Sequence, residues 1–140
     1  MSEVIAVELK NQLSEIARLA RIVDDFGRRH QIKAQVIYNM KLALDEILTN
    51  VISYGYDDAG EHQITARFSL EQGKWTAEVE DSGRPFNPLT SPEANTKQSL
   101  EARPIGGLGI HLVRKLIDES EYRRQNDKNL LVMRINLKGP

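Results

Sequence analysis

Glu46 and Asn50 combine a carboxylate and an amide at a spacing of four residues. Around them, apolar residues recur at every third or fourth position, which predicts a helix over about residues 34–53. Residues four apart on a helix lie on one face, one turn from each other. Together, these two side chains could accept a proton from a hydroxyl group and bind a hard cation. By itself, however, such a pair more often covers a solvated helix surface.

Asp81 and Gly83 follow a segment in which apolar and polar residues alternate, which predicts that they stand just after a strand. A carboxylate at that point could accept a hydrogen bond from an exocyclic amine, and the glycine would leave room for a planar ring. An ordinary turn, in which the Asp81 side chain binds the backbone two residues on, explains the same residues and is the commoner case. Both alternatives stay open on this motif alone.

A third motif, Gly106-Gly107-Leu108-Gly109, precedes helical apolar spacing at residues 110–117. Glycine before a helix lets the backbone approach a ligand closely, and the N–H groups of the first turn attract anions such as phosphate. The chain contains no Gly-x-x-x-x-Gly-Lys-Ser/Thr, which excludes a Walker loop, and Leu112 replaces the third glycine of a dinucleotide fingerprint. An ordinary cap or tight turn is again the more frequent explanation of these glycines.

The segments that would position these motifs are predicted by the same periodicities. Residues 63–71 and 74–80 alternate on either side of Gln72-Gly73, which predicts a β-hairpin with one polar and one apolar face. The other predicted strands are residues 3–9, 121–125 and 130–137, the last two on either side of a turn at residues 126–129.

The N-terminal helix is predicted over residues 11–30, with Asn11 as its N-cap and Gly27 near its end. One side of this helix is apolar and the other is charged. The charged side is most simply a solvated surface, and a surface for a partner protein remains the alternative.

The composition is that of an ordinary soluble protein: of the 140 residues, 40% are apolar and 28% charged, and the formal net charge is -1. One domain over residues 1–140 is expected at this length. The charge balance offers no basic field for direct binding of nucleic acid, and no apolar run reaches the length of a membrane span. Without cysteine and without a recognisable signal peptide, the chain is expected to be cytoplasmic.

The three motifs, in this order and at these spacings, resemble those of the GHKL ATPase superfamily. The shared pattern is a helical Glu-x-x-x-Asn, an Asp-x-Gly-x-x-Phe after a hairpin, a variable loop and a Gly-x-Gly helix start. Within the superfamily, the chain is most similar to the bacterial anti-sigma-factor serine/threonine kinases, over about residues 35–137. The resemblance implies an α+β fold in two layers, with a mostly antiparallel mixed β-sheet and about three helices on one face.

The resemblance also implies roles for individual residues. Glu46 would be the general base that orients a substrate serine or threonine hydroxyl, and Asn50 would bind Mg²⁺ through its side-chain oxygen. Asp81 would accept a hydrogen bond from the adenine amino group, with Gly83 making space beside the ring. ATP and Mg²⁺ are therefore the expected cofactors.

At the third motif, backbone N–H groups around Gly107 and Gly109 would bind phosphate oxygens. Leu108 and Ile110 would belong to the same cofactor site. Residues 89–105, a long polar segment with two prolines, would be a lid that closes over the nucleotide.

Three positions depart from the pattern of these kinases. Tyr54 stands where relatives often have histidine, and Pro85 replaces a common glycine and stiffens its turn. Residues 105–106 are Ile-Gly where some relatives carry Gly-Arg, so an arginine that would contact phosphate is missing there. Arg84 or Arg103 could replace it.

By resemblance, we expect an ATP-dependent serine/threonine protein kinase that phosphorylates a STAS-type anti-anti-sigma protein and sequesters a sigma factor. A homodimer is expected as well, with dimer and sigma-factor surfaces built from residues 4–29. A non-catalytic ATP-binding module that controls partner binding is an alternative, although a pure binder has no need of Glu46 as a base. The ATPase domain of a histidine kinase ranks lowest, because the chain lacks a helical dimerisation segment bearing a phosphoacceptor histidine.

Overall fold

The computed structural model describes residues 4–58, 60–87 and 109–137. In chain order, its elements are β1 (Val4–Lys10), α1 (Ser14–Arg29), α2 (Ala34–Tyr54), β2 (Gln63–Glu71), β3 (Lys74–Asp81), α3 (Gly109–Leu116), β4 (Glu119–Gln125) and β5 (Lys128–Asn136). The three helices pack on one face of a sheet built from the five strands, which makes two layers.

The strands form one sheet in the order β1-β2-β3-β5-β4, and each neighbouring pair is antiparallel. The predicted α+β class is confirmed, with a sheet that is wholly antiparallel among the described residues rather than mixed. Successive side chains of a strand point to opposite faces, so buried residues fall on every second position. On β2 and β3 the apolar residues among them are Ile64, Ala66, Phe68, Trp75, Ala77 and Val79.

The core lies between the sheet and the helices, and aromatic side chains fill its centre. The rings of Phe26 on α1 and Trp75 on β3 are stacked, with centroids 5.9 Å apart and planes inclined by 10°. Phe68 on β2 packs against the same Phe26 ring, with 6.3 Å between centroids. Burying a large apolar side chain contributes about 1.5–3 kcal/mol, so this cluster anchors α1 on the sheet.

α2 is the central helix, because both α1 and α3 pack against it. At the contact with α1, Gly27 lies in the last turn of α1, near the helix end as predicted. A Cβ atom on Gly27 would lie 2.5 Å from the Ile37 side chain, so glycine lets the two helices approach closely. In the described part of the chain, none of the helices has the length and apolar character needed to cross a lipid bilayer.

The predicted N-cap of α1 is wrong. The helix begins at Ser14, Leu13 occupies the N-cap position, and no side chain caps the helix there. Asn11 instead links β1 to the segment before β2: its Oδ1 accepts a hydrogen bond from the His62 N–H at 2.9 Å, and its Nδ2 donates to the Gly60 carbonyl at 3.1 Å. An asparagine amide can satisfy one backbone donor and one acceptor together, and here this cross-link replaces capping.

Both hairpins turn in two residues. Gln72 and Gly73 have φ angles of 53° and 76°, and Asn126 and Asp127 have φ angles of 53° and 61°. Positive φ at both central residues is the type I′ geometry, whose twist matches that of the flanking strands. The four-residue turn expected in the second hairpin is thus two residues too long, and Asn129 belongs to β5.

Candidate functional site

A cavity of about 290 Å³ opens between the C-terminal half of α2 and the neighbouring parts of β3, β4 and β5. Much of its wall is apolar, and three buried polar side chains interrupt it: Asn50, Asp81 and Asn129. This combination is typical of ligand sites, in which an apolar wall takes up a ring and a few polar groups fix its orientation. The apolar wall includes Ile47, Val51, Val79 and Leu131.

Asn50 and Glu46 lie one turn apart on α2 and both carry unpaired buried atoms. Asn50 lines the cavity and is 6% exposed, yet its Nδ2 donates no hydrogen bond within the described residues. Glu46 lies one turn earlier, beyond the cavity wall, and its buried Oε1 likewise accepts none there. Since an unpaired buried polar atom costs about 1–3 kcal/mol, a polar ligand that formed hydrogen bonds with these two atoms would recover that energy.

The Glu46 carboxyl is also electrostatically distinct. Burial raises its pKa, and the neighbouring carboxylate of Asp45 raises the pKa further. A carboxylate with a raised pKa binds a proton more readily, which suits it to accept one from a hydroxyl group. Asp45 is exposed and accepts a hydrogen bond from Thr49 Oγ1 at 3.2 Å, so of these two adjacent carboxylates it is Glu46 that is desolvated.

Asp81 ends β3 across the cavity from α2 and is 5% exposed. Its Oδ1 accepts hydrogen bonds from the Gly83 N–H at 2.8 Å and from Asn129 Nδ2 at 3.0 Å. The bond to Gly83 is the ordinary turn that the sequence left open, but the described bonds use Oδ1 alone, which leaves Oδ2 to accept from a ligand. Burial raises the pKa of Asp81 more than the bonds to Asn129 and Gly83 lower it.

Gly83 is buried, and a backbone contact requires it to be glycine. A Cβ atom there would lie 2.5 Å from the carbonyl oxygen of Gly55 and 2.9 Å from Asp81 Oδ1. Gly55 directly follows α2, so the turn after β3 rests against the end of that helix. The expectation that Gly83 makes space beside a ring stays a prediction; the visible constraint is the approach of two backbone segments.

Asn129 is a site residue that the sequence analysis missed. Its Nδ2 donates to Asp81 Oδ1 at 3.0 Å and to the Arg84 carbonyl at 2.9 Å. Its Oδ1 accepts from the Phe86 N–H at 3.4 Å and from the Tyr122 hydroxyl. The sequence analysis assigned Asn129 to the turn at residues 126–129. Since β5 starts at residue 128, alternation makes Asn129 the first of a row of core-facing residues, followed by Leu131, Met133 and Ile135.

Arg84, one of the two arginines considered for phosphate, is engaged elsewhere. Its Nε and Nη2 donate to the carbonyl of Tyr54 at 2.9 and 2.6 Å, and its Nη1 lies 3.3 Å from Asp57 Oδ1. Tyr54 itself lines the cavity together with Pro85, the other residue that departs from the kinase pattern. Arg103 lies outside the described residues.

Parts of the expected nucleotide site fall outside the described chain. Gly107, Leu108 and the expected lid at residues 89–105 are not among the described residues. α3 begins at Gly109 and includes Ile110, which places these two residues in its first turn, one residue earlier than the helix was expected to start. Their contact with phosphate stays a prediction.

Asn50 fits the expected role of a magnesium ligand. Among the described residues, no group of three His, Cys, Asp or Glu side chains could hold a metal ion without further ligands. Mg²⁺ commonly binds through one or two protein oxygens and completes its shell with phosphate oxygens and water. Asn50 lines the cavity, and its Oδ1 is the atom that could bind the metal; the unpaired atom, Nδ2, is a donor and could not, so the metal role stays a prediction.

Comparison with known proteins places this architecture in a family. The family model described as "Histidine kinase-like ATPase domain" matches residues 9–135. A crystal structure of the RsbU and RsbW domains of a Mycobacterium tuberculosis protein superposes with a TM-score of 0.68 and 14% identity. The superposition covers 99% of this chain and 33% of that longer chain, and it shows a shared fold.

Proteins similar in sequence to this chain carry the name serine-protein kinase RsbW. The protein from Listeria monocytogenes is 24% identical over 125 residues, which cover 85% of this chain and 78% of the relative. The protein from Bacillus cereus is 30% identical over 101 residues, which cover 69% of this chain and 62% of the relative. With its cavity, its Glu-x-x-x-Asn helix and a family match over most of its length, this chain belongs to the histidine kinase-like ATPase domain family.

Proposed function

We propose that this protein is an ATP-dependent serine/threonine protein kinase that acts as an anti-sigma regulatory factor. It would phosphorylate a STAS-type anti-anti-sigma protein and sequester a sigma factor. The observation that carries the proposal is the Glu46 carboxyl group, which is desolvated, raised in pKa and unpaired at Oε1, one turn from the unpaired Nδ2 of Asn50. The names of the relatives, serine-protein kinase RsbW, support the same reaction class.

The cavity accounts for nucleotide binding in this proposal. The adenine ring would lie against the apolar wall, and its exocyclic amine would donate to the Asp81 carboxylate, whose Oδ1 is held by Asn129 and Gly83. Because Asp81 accepts and does not donate when ionised, it would favour an amino group over a carbonyl at that ring position. The site would therefore select adenine over guanine.

Phosphoryl transfer would use the α2 side of the site, where Glu46 lies one turn beyond the cavity wall. Glu46 accepts the proton of the substrate hydroxyl as that oxygen bonds to the γ-phosphorus, and the bond to the bridging oxygen breaks to release ADP. Asn50 would hold Mg²⁺ through its side-chain oxygen. When bound, the metal neutralises charge on the phosphate oxygens.

The partner surfaces of the proposal lie on β1 and α1. These elements carry two of the large apolar side chains that are most exposed among the described residues, Val4 at 60% and Leu13 at 57%. Exposed apolar side chains of this size are frequent where proteins associate. The homodimer and the sigma-factor complex would use this end of the molecule.

A non-catalytic ATP-binding module remains the second candidate. The contacts of Arg84 with Tyr54 and Asp57 favour it, because this arginine is committed to the fold rather than to phosphate. Such a module would bind ATP and change its affinity for a partner without transferring phosphate.

Substitution of Glu46 separates the two candidates. Labelled ATP, Mg²⁺ and a STAS-domain protein encoded near this chain are incubated with the wild type, with Glu46→Gln, and with Asp45→Asn as the neighbouring exposed carboxylate. We expect serine or threonine phosphate on the STAS protein, a loss of transfer by roughly 10²–10⁴-fold in Glu46→Gln with ATP affinity retained, and a change of a few-fold in Asp45→Asn. Tight ATP binding by a wild type that transfers no phosphate would favour the module.

A further inference from the structure

The C-terminal end of α2 is bonded to the turn after β3 through a side chain that lies outside the helix. The last carbonyls of a helix have no partner within it and form its negative end, which favours a cation there. α2 carries no basic residue in its own last turn. Arg84 supplies the charge instead, with Nε and Nη2 donating to the Tyr54 carbonyl at 2.9 and 2.6 Å.

The backbone of Arg84 makes the same connection. Its N–H donates to the Gly55 carbonyl at 2.8 Å, next to the point where Gly83 leaves no room for a Cβ atom. Its carbonyl accepts from Asn129 Nδ2 at 2.9 Å, which joins the turn to β5. Arg84 therefore connects the end of α2, the turn after β3 and the start of β5.

These contacts lie between the two polar walls of the cavity. Asn50 stands one helical turn before Tyr54, and Asp81 stands three residues before Arg84. We infer that Arg84 is a positioning residue of the nucleotide site: it clamps the end of α2 onto the turn after β3 and so fixes the separation of the two cavity walls between which the adenine ring of each nucleotide would lie. The identity of the ligand as a nucleotide rests on the proposed function.

The clamp depends mainly on the bonds to the Tyr54 carbonyl rather than on the ion pair. The side chains of Arg84 and Asp57 are 54% and 80% exposed, and an exposed ion pair of this kind contributes little. Asp57→Asn removes the ion pair and keeps both carbonyl bonds, which makes it the matched control for Arg84→Ala. Arg84→Lys keeps the charge and gives up the paired geometry.

The test measures the Kd of adenosine, ADP and Mg·ATP by calorimetry for the wild type and the three variants. A positioning role weakens all three ligands by the same factor, roughly 10-fold in Arg84→Ala, as is usual when the support of a binding group is lost. We expect a smaller common factor in Arg84→Lys and a change within about twofold in Asp57→Asn.

Two results would overturn the inference. A loss that grows from adenosine to ADP to Mg·ATP would make Arg84 a phosphate contact, and unchanged affinities with a lowered Tm would make it a purely structural residue. If Arg84→Ala does not fold, Arg84→Lys decides between the same outcomes.

Ligand binding by the wild type tests the proposed function separately from the inference about Arg84. A wild type that binds none of the three ligands would overturn the proposed function. In that event, amide exchange of the ligand-free protein decides whether the clamp exists: we expect the Arg84 N–H, bonded to the Gly55 carbonyl, to exchange faster in Arg84→Lys. Equal exchange in the two proteins would overturn the clamp.

Discussion

Two buried asparagines face one another across the cavity, and they differ in what they bind. Asn50 and Asn129 are each 6% exposed. The side chain of Asn129 makes hydrogen bonds to four partners, on β3, on β4 and in the turn after β3. The Nδ2 of Asn50 makes none within the described residues.

This difference predicts different roles for the two side chains: Asn129 stabilises the structure around the cavity, and Asn50 is available to a ligand. A buried amide with all its partners contributes stability, because each bond replaces one lost to water. A buried amide with an unpaired atom costs stability, and a bound ligand, ion or water is one way to recover that cost. Asn129 is therefore part of the fold, and we predict that Asn50 binds a ligand.

The largest expected effect is on stability, at Asn129. Asn129→Ala removes four hydrogen bonds and leaves the buried Asp81 carboxylate with fewer donors, so we expect unfolding to become easier by about 3 kcal/mol. Chemical denaturation measures this, with Asn39→Ala, a change at a more exposed asparagine, expected within about 0.5 kcal/mol of wild type. Equal stabilities of the two variants would remove the contrast between the two walls.

Asn50→Ala is expected to weaken ligand binding and to change stability little. It deletes an amide that has an unpaired donor, so the free energy of unfolding should change by less than about 1 kcal/mol. The loss of a metal ligand should weaken Mg·ATP binding by roughly 10–100-fold, measured by calorimetry. A variant that binds Mg·ATP like wild type but unfolds far more easily would assign Asn50 to the fold.

Tyr122→Phe tests one bond of the Asn129 wall by itself. The variant removes the hydroxyl that donates to Asn129 Oδ1 and keeps the ring, so we expect a loss of about 1 kcal/mol in the free energy of unfolding. Tyr38, which is 55% exposed, offers the matched control Tyr38→Phe, for which no change is expected. A loss as large as that of Asn129→Ala would mean that the hydroxyl alone holds this wall together.

The smallest effect concerns the pH dependence of stability at Glu46. Its folded pKa lies above that of the unfolded chain, ordinarily about 4.3, so folding favours the protonated form. The stability contribution is thus full below the unfolded pKa and is lost as the pH rises through the raised pKa. We expect Glu46→Gln to be more stable than wild type at pH 7 by a few tenths of a kcal/mol after solvent screening, and the gap to close near pH 4.

Melting temperatures of wild type and Glu46→Gln across that pH range measure this effect. Asp45→Asn, a change at the exposed neighbour, controls for the loss of a negative charge. A gap that stayed constant from pH 4 to pH 7 would rule out the desolvated carboxylate as its cause.

The periodicity of apolar residues predicted much of the fold. The N-cap prediction failed because it depended on which backbone groups one side chain binds. The hairpin at Gln72-Gly73 and the helix around Glu46 were predictable because each depends on local spacing. Asn11 was misassigned because its partners, Gly60 and His62, are distant in sequence. Nothing local distinguishes an asparagine that caps a helix from one that binds a segment distant in sequence.

In the candidate site, too, residues in local motifs were predictable and residues that depend on distant contacts were not. Glu46, Asn50 and Asp81 could be proposed because they occur in short motifs, and the structure places Asn50 and Asp81 on facing walls of one cavity. Asn129 could not be proposed, because its role depends on cross-strand pairing with Asp81. The tertiary role of Arg84 was equally hidden, since its partners lie at the end of α2.

The two-residue turn at Asn126-Asp127 affects how the cavity can change during evolution. It sets the register that places Tyr122 opposite Leu131, and through it the hydroxyl that reaches Asn129. One inserted residue would exchange the two faces of β4 and carry Tyr122 out of the cavity, while β5 and Asn129 stayed in place. A length change at a solvent-facing hairpin tip could thus reshape the ligand pocket with no substitution among the residues that line it.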